Sequence, residues 1–203
     1  MKGRPWGEKG PPDYGSKVQL LYSEAEVLPC LERMFQNERP VAVDYETNML
    51  KPDSLKARVH SCSFSDGSLT FAFPWFPRGS KVWRLVREFW LSGVRKIASN
   101  FKFENRWTMK EFGVWPEAWE VDTMLMAHVL DCRRSISSIK FQSFVLLGEG
   151  GYEEKTKPFL QSAGSNEENR IKDIALPDLL LYNGLDSLLE WKVARIQKRA
   201  MGF

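Results

Sequence analysis

The run VAVDYE at 41–46 drives three apolar residues straight into two acids, Asp44 and Glu46, with one tyrosine between them. An apolar run of valines and alanine reads as a buried strand. Side chains of a strand alternate between faces, so positions 44 and 46 point the same way. Two carboxylates converging on one point repel, and a dry site keeps both ionised only with a cation between them. Oxygen-only donors suit a hard ion, magnesium or manganese, far better than zinc. A lone pair of this kind fits a solvated strand end at least as well, so the rest of the chain has to decide.

The elements around this strand follow from periodicity and punctuation. Ser23-Glu24-Ala25-Glu26 has the form of a capping box, and Val27, Leu28, Leu31, Met34 and Phe35 follow at helical spacing, with Pro29 placed to kink the first turns. Strands are expected at 58–65 (RVHSCSFS) and 69–74 (LTFAFP), joined by the hairpin signal Asp66-Gly67. Val82, Leu85, Val86, Phe89 and Trp90 mark an amphipathic helix closed by Gly93. A short strand, RKIAS at 95–99, leads into a helix capped by Asn100 and ended by Gly113. Asp122 is placed to cap the helix TMLMAHVLD, SSIKFQSFVLLG is another, and the polar, glycine-rich residues 148–173 form the longest expected loop. The last helix starts near Pro177, a good first-turn residue. Three strands in a meander followed by alternating helix and strand predict an α/β domain, a mixed central sheet of about five strands flanked by helices.

Composition narrows the class without naming a function. A chain of 203 residues with 43% hydrophobic and 27% charged residues can bury a full core and is neither disordered nor membranous. No apolar run reaches the roughly 20 residues of a membrane helix, and the N-terminus lacks a secretion signal, so we expect no membrane partner and a cytoplasmic location. Residues 1–17 carry three prolines and four glycines and read as a flexible arm ahead of one domain, 18–203. Cys30, Cys62 and Cys132 lack paired spacing and read as free thiols. A net charge of +3 does not by itself announce nucleic acid.

Two further patterns carry acids. Tyr182 and Asp186, four apart on the last helix, share a face, and Gly184 between them costs helix propensity, which hints at a close approach to the backbone. In SNFKFENRW, Asn100 opens a helix with Glu104 one turn in and Lys102 and Arg106 nearby. Each pattern alone fits ordinary surface or capping chemistry.

Taken in order, an acid pair on the first long strand, an N-x-K-x-acid helix start and a Tyr-x-x-x-Asp helix make the chain resemble the proofreading 3′–5′ exonuclease domain of family A DNA polymerases, within the DEDD exonuclease superfamily. The resemblance spans about residues 18–200. It implies a ribonuclease H-like fold and two divalent ions, Mg²⁺ or Mn²⁺, held by Asp44, Glu46, Glu104 and Asp186. Asp44 would bridge the ions, Glu46 and Asp186 hold the water-bearing one, and Glu104 support the other. Tyr182 puts the chain in the tyrosine subclass and would orient the attacking water. Family members mostly carry aspartate where Glu104 stands, which makes Asp122 the second candidate for that ligand. Substrate contacts implied by the resemblance are Thr47, Leu50 as a wedge between the last bases, Asn100 and Lys102. The implied reaction releases nucleoside 5′-monophosphates from single-stranded or frayed 3′ ends of DNA, in the setting of proofreading, replication or repair. A DNA polymerase subunit or domain is the candidate protein partner. RNA 3′-end trimming by the same subclass is the alternative, and a silent nucleic-acid-binding module a further one. The start methionine and the end soon after the third motif lead us to expect a free-standing exonuclease.

Overall fold

A computed structural model of the chain describes residues 10, 12–36, 38–164 and 166–203. Its centre is a six-stranded sheet with strands β1 (Gln19–Leu20), β2 (Val41–Thr47), β3 (Val59–Ser65), β4 (Thr70–Pro74), β5 (Lys96–Ala98) and β6 (Trp119–Asp122), in the spatial order β1-β4-β3-β2-β5-β6. β2, β3 and β4 form the antiparallel meander that the sequence predicts, while β1 on β4, β5 on β2 and β6 on β5 pair in parallel. The sheet therefore has one strand more than the expected five. β1 is two residues long and β6 runs directly into a helix cap, so neither leaves a period-two pattern long enough to read.

The helices are α1 (Glu24–Phe35), α2 (Lys81–Leu91), α3 (Phe101–Phe112), α4 (Thr123–Leu130), α5 (Ile139–Leu147), α6 (Lys157–Leu160) and α7 (Leu176–Met201). The capping box at Ser23 and Glu26 forms, with both reciprocal hydrogen bonds made. α2 closes at Ser92, whose hydroxyl donates to the Phe89 carbonyl, and not at Gly93. The expected loop at 148–173 holds the short helix α6 and a 3-10 turn, Ile171–Asp173. Of the expected N-terminal arm, residues 1–9 and 11 lie outside the described residues. Tyr14, within the same stretch, is buried against Leu185, Leu188 and Leu189 of α7, because its ring is the apolar cover for the middle of that helix.

Alternation along β2 divides the molecule into two layers. Val41, Val43 and Tyr45 face one side and join α1 and α2 in an aromatic core that includes Phe64, Phe71, Phe73, Phe89 and Trp90. Ala42, Asp44 and Glu46 face the other side, where α7 lies; Ala42 packs on Trp191 and Ala194. β3 offers α7 only small side chains, Ser61, Ser63 and Ser65, all buried. Gly184 completes this close approach, since a Cβ there would stand 2.3 Å from Val18 Cγ1 and 3.4 Å from Ala72 Cβ. The mid-helix glycine marks the place where α7 is pressed onto the sheet edge. Among the described residues no helix is long and apolar enough to cross a membrane.

Candidate active site

The helix laid over β2 answers why the strand ends in two acids. Asn183 on α7 donates from its side-chain amide to Asp44 Oδ2 at 2.6 Å, and its own carbonyl accepts from the Ser63 hydroxyl at 2.8 Å. These bonds tie α7 to the middle of β2 and β3. They bring Asp186, one turn along, over the carboxylates of Asp44 and Glu46. Among the described residues these three offer oxygens that all lie within 4.8 Å of one another. Asp44 and Glu46 remain partly exposed, while Asp186 is buried.

Crowding of this kind changes the protonation chemistry. Burial, then repulsion from Asp186, pushes Asp44 well above the ordinary carboxylate range. Burial, then Asp44, then Asp186, does the same to Glu46. The one cation facing the trio among the described residues comes from α5: Lys140 Nζ sits 2.6 Å from both oxygens of Asp186. It also lies 4.7 Å from the Tyr182 ring centroid. Burial works against the charge of Lys140, yet Asp186, Glu46 and Asp44 together hold its pKa above the usual lysine value. The Tyr152 hydroxyl, from the turn after α5, donates to Asp186 as well. Burial, with Asp186 next, raises the Tyr182 phenol far above its ordinary value, so it stays protonated and acts as a donor.

The remaining predicted residues are spread around this trio. Glu104 on α3 is 2% exposed and its Oε2 is enclosed without a hydrogen-bond partner; burial, then repulsion from Asp44, raises its pKa. It faces the cluster electrostatically but stands outside the close trio. Asp122 is occupied elsewhere. Its carboxylate accepts from the backbone N–H groups of Asn100, Phe101, Met124 and Leu125. One side chain thus caps α4 and secures the start of α3, which aims Glu104. Asn100 occupies the N-cap position of α3 with φ 69° and makes no side-chain cap bond, so the expected capping falls to Asp122. Asparagine is among the few residues that tolerate this left-handed turn. Thr47 is buried with its hydroxyl donated to the Met49 carbonyl. Leu50 is 60% exposed at the tip beyond β2, and Lys102 is exposed on α3.

An all-oxygen set at this spacing fits a hard divalent cation. A sequence model of the 3′–5′ exonuclease family matches residues 22–186, which include Asp44, Glu46, Glu104, Tyr182 and Asp186. The chain belongs to the 3′–5′ exonuclease family. Solved structures agree on the fold. NrnC of Brucella melitensis superposes with a TM-score of 0.67 at 17% identity, over 90% of this chain and 81% of that one. The catalytic core of RRP6 from Trypanosoma brucei gives 0.67 at 16%, over 95% and 50%. Escherichia coli RNase D gives 0.62 at 14%, over 91% and 46%. NrnC has also been solved with bound Mg²⁺ and bound to pGG. No curated protein sequence matches the chain. The architecture, a mixed sheet flanked by helices, is the ribonuclease H-like fold of the DEDD exonucleases, and the acid trio is built for divalent metal use.

Several residues here escaped the sequence. Lys140 is the only charged residue in α5, and a lone lysine on a mostly apolar helix is the one signal that marks it. Asn183 adjoins the Tyr182 motif but points to a partner 139 positions away. Tyr152 leaves no local signature.

Proposed function

We propose that the chain removes nucleotides from the 3′ end of DNA with two divalent ions, Mg²⁺ or Mn²⁺, held around Asp44. The observation that carries this reading is the convergence of Asp44, Glu46 and Asp186 within 4.8 Å beneath a protonated tyrosine. Phosphodiester hydrolysis at neutral pH needs a hydroxide-like nucleophile and relief of charge on the leaving 3′-oxygen, and a bound ion pair supplies both.

The chain's own groups do the rest. Asp44, Glu46 and Asp186 offer oxygens for the water-bearing ion, and Glu104, which Asp44 repels, would support the second. Tyr182 keeps its proton and donates a hydrogen bond that aims the attacking water, so it positions and does not deprotonate. Lys140 and Tyr152 both donate to Asp186, so a cation held by Asp186 would take their place on its oxygens. Leu50, exposed beyond the strand tip, is placed to wedge between the last two bases, and Lys102 is free to meet phosphate. Frayed or single-stranded ends avoid the cost of unpairing.

DNA is favoured by the order and form of the motifs, which resemble polymerase proofreading domains; in that setting a DNA polymerase would be the protein partner. The RNA reading is favoured by RNase D, described as an exoribonuclease of structured RNA processing, among the similar folds. The two differ in whether a group contacts the 2′-hydroxyl. Competition between a single-stranded DNA and an RNA of identical sequence, each labelled at its 5′ end, tests the choice. Faster shortening of DNA supports the proposal, and faster shortening of RNA transfers it to the second reading.

A further inference from the structure

The end of the sheet away from the acids has a cavity of its own, about 430 Å³, and its walls are basic. Pro40 ahead of β2, Arg95 ahead of β5 and Glu120 in β6 border it. These three strands run parallel, so the cavity lies at their N-terminal ends. α7 runs back along β2: Asp186 stands by Asp44 and Glu46, and further on the Trp191 indole N–H donates to the Pro40 carbonyl at 2.9 Å. The chain from Pro40 to Glu46 is extended, which sets the cavity about 20 Å from the acid trio.

Five basic side chains, Arg39, Arg95, Arg195, Lys198 and Arg199, line this cavity against one acidic side chain, Glu120. Glu120 is held by two of them, Arg95 at 2.8 Å and Lys198 at 2.6 Å, which fixes both heads on the wall. Arg195 sits over the Trp191 ring, 4.9 Å from its centroid. Arg195 and Arg199 are exposed, and among the described residues neither makes an ion pair. Complementing the helix dipole accounts for Lys198 and Arg199 in the last turn of α7. It does not account for Arg39 and Arg95, which two other segments bring to the same cavity. Cations gathered in such excess repel one another, and an anion relieves that. Guanidinium forks match phosphate oxygens in particular. The Trp191 ring is 7% exposed and covered by Arg195, so the cavity has no open aromatic face for a base and can take phosphate alone.

We propose that this cavity is a second nucleic-acid contact, holding backbone phosphates of the strand whose 3′ end lies among the acids. The inference rests on the exonuclease reading and deepens it: the chain grips its substrate at both ends of the sheet, and the distant grip is indifferent to sequence.

The test is fluorescence anisotropy of a labelled single strand of about 30 nucleotides with the full chain in EDTA, where the metal-free acids repel phosphate and no cleavage competes. Each phosphate contact adds about 0.7 to the slope of log affinity against log salt on a single strand, so Arg199→Ala should flatten the slope by about 0.7 and the double variant Arg195→Ala with Arg199→Ala by about 1.4. The double variant should bind about tenfold more weakly, and Arg195→Lys with Arg199→Lys, which keeps both charges, should stay within about threefold of wild type. In Mg²⁺ the double alanine variant should raise KM for the long strand about tenfold at unchanged kcat, and alter kcat/KM for a trinucleotide less than about twofold. An unchanged salt slope, or an equal loss on the long strand and the trinucleotide, would overturn the inference and leave the nuclease reading intact. Wild type that shortens the strand in Mg²⁺ but does not bind it in EDTA would do the same. Wild type that shortens neither DNA nor RNA would overturn both.

Discussion

Replacing Gly184 by alanine tests how the fold sets the site. The new Cβ would meet Val18 Cγ1 at 2.3 Å, whereas ordinary contact begins near 3.4 Å, so the parts must separate by about 1 Å. Val18 leads into β1, which is held on β4 through Leu20 and Ala72 and by the Leu21 N–H to the Ala72 carbonyl. We therefore expect α7 to lift, and Asn183 and Asp186 with it. Overpacking costs about 1–3 kcal/mol, and alanine in a helix returns about 1 kcal/mol. The net of about 1 kcal/mol lowers Tm by about 2–4 °C for a domain of this size. Activity should fall far more, on the order of 100-fold, because a displacement near 1 Å misplaces the reacting groups. The assay is shortening of a 5′-labelled oligonucleotide, run beside thermal melting. The double variant Gly184→Ala with Val18→Ala removes the struck atom and leaves Ala72 Cβ at 3.4 Å, so it should recover most of the rate. A Gly184→Ala protein within twofold of wild-type rate, or a double variant no better than the single, would refute the coupling.

Other outcomes follow from the same geometry. Tyr182→Phe should slow cleavage about tenfold, the worth of one orienting hydrogen bond, with divalent affinity unchanged by calorimetry. Asp122→Ala strips the partner from four backbone N–H groups and should destabilise the chain by about 1–2 kcal/mol in urea unfolding, with metal stoichiometry retained. Asp44, Glu46 and Glu104 have folded pKa values raised above the ordinary carboxylate range, so the native ion-free chain binds more protons than the unfolded one. Its stability in EDTA should fall as pH rises from about 4 toward those raised values, and divalent ions, which displace the protons, should bind more tightly over the same rise.

Much of the site was legible because its first part is local. The two-residue period of β2 puts Asp44 and Glu46 on one face, and the four-residue period of α7 does the same for Tyr182 and Asp186. Gly184 announced a close approach before its neighbour, Val18, was known. What stayed hidden is set by distant partners. Asp122 reads as a cap for α4, but nothing local says that it also holds the start of α3 in place of Asn100. Lys140, Tyr152 and Asn183 acquire meaning only when α5 and α7 fold over β2.

The central claim is that Asp44 anchors a metal-dependent exonuclease acting from the 3′ end. A single-stranded DNA oligonucleotide labelled at its 5′ end should give a ladder shortening one nucleotide at a time in Mg²⁺ or Mn²⁺, and no ladder in EDTA or with Asp44→Ala. Cleavage that persists in EDTA or in folded Asp44→Ala, or a wild type that shortens neither DNA nor RNA, would contradict the account.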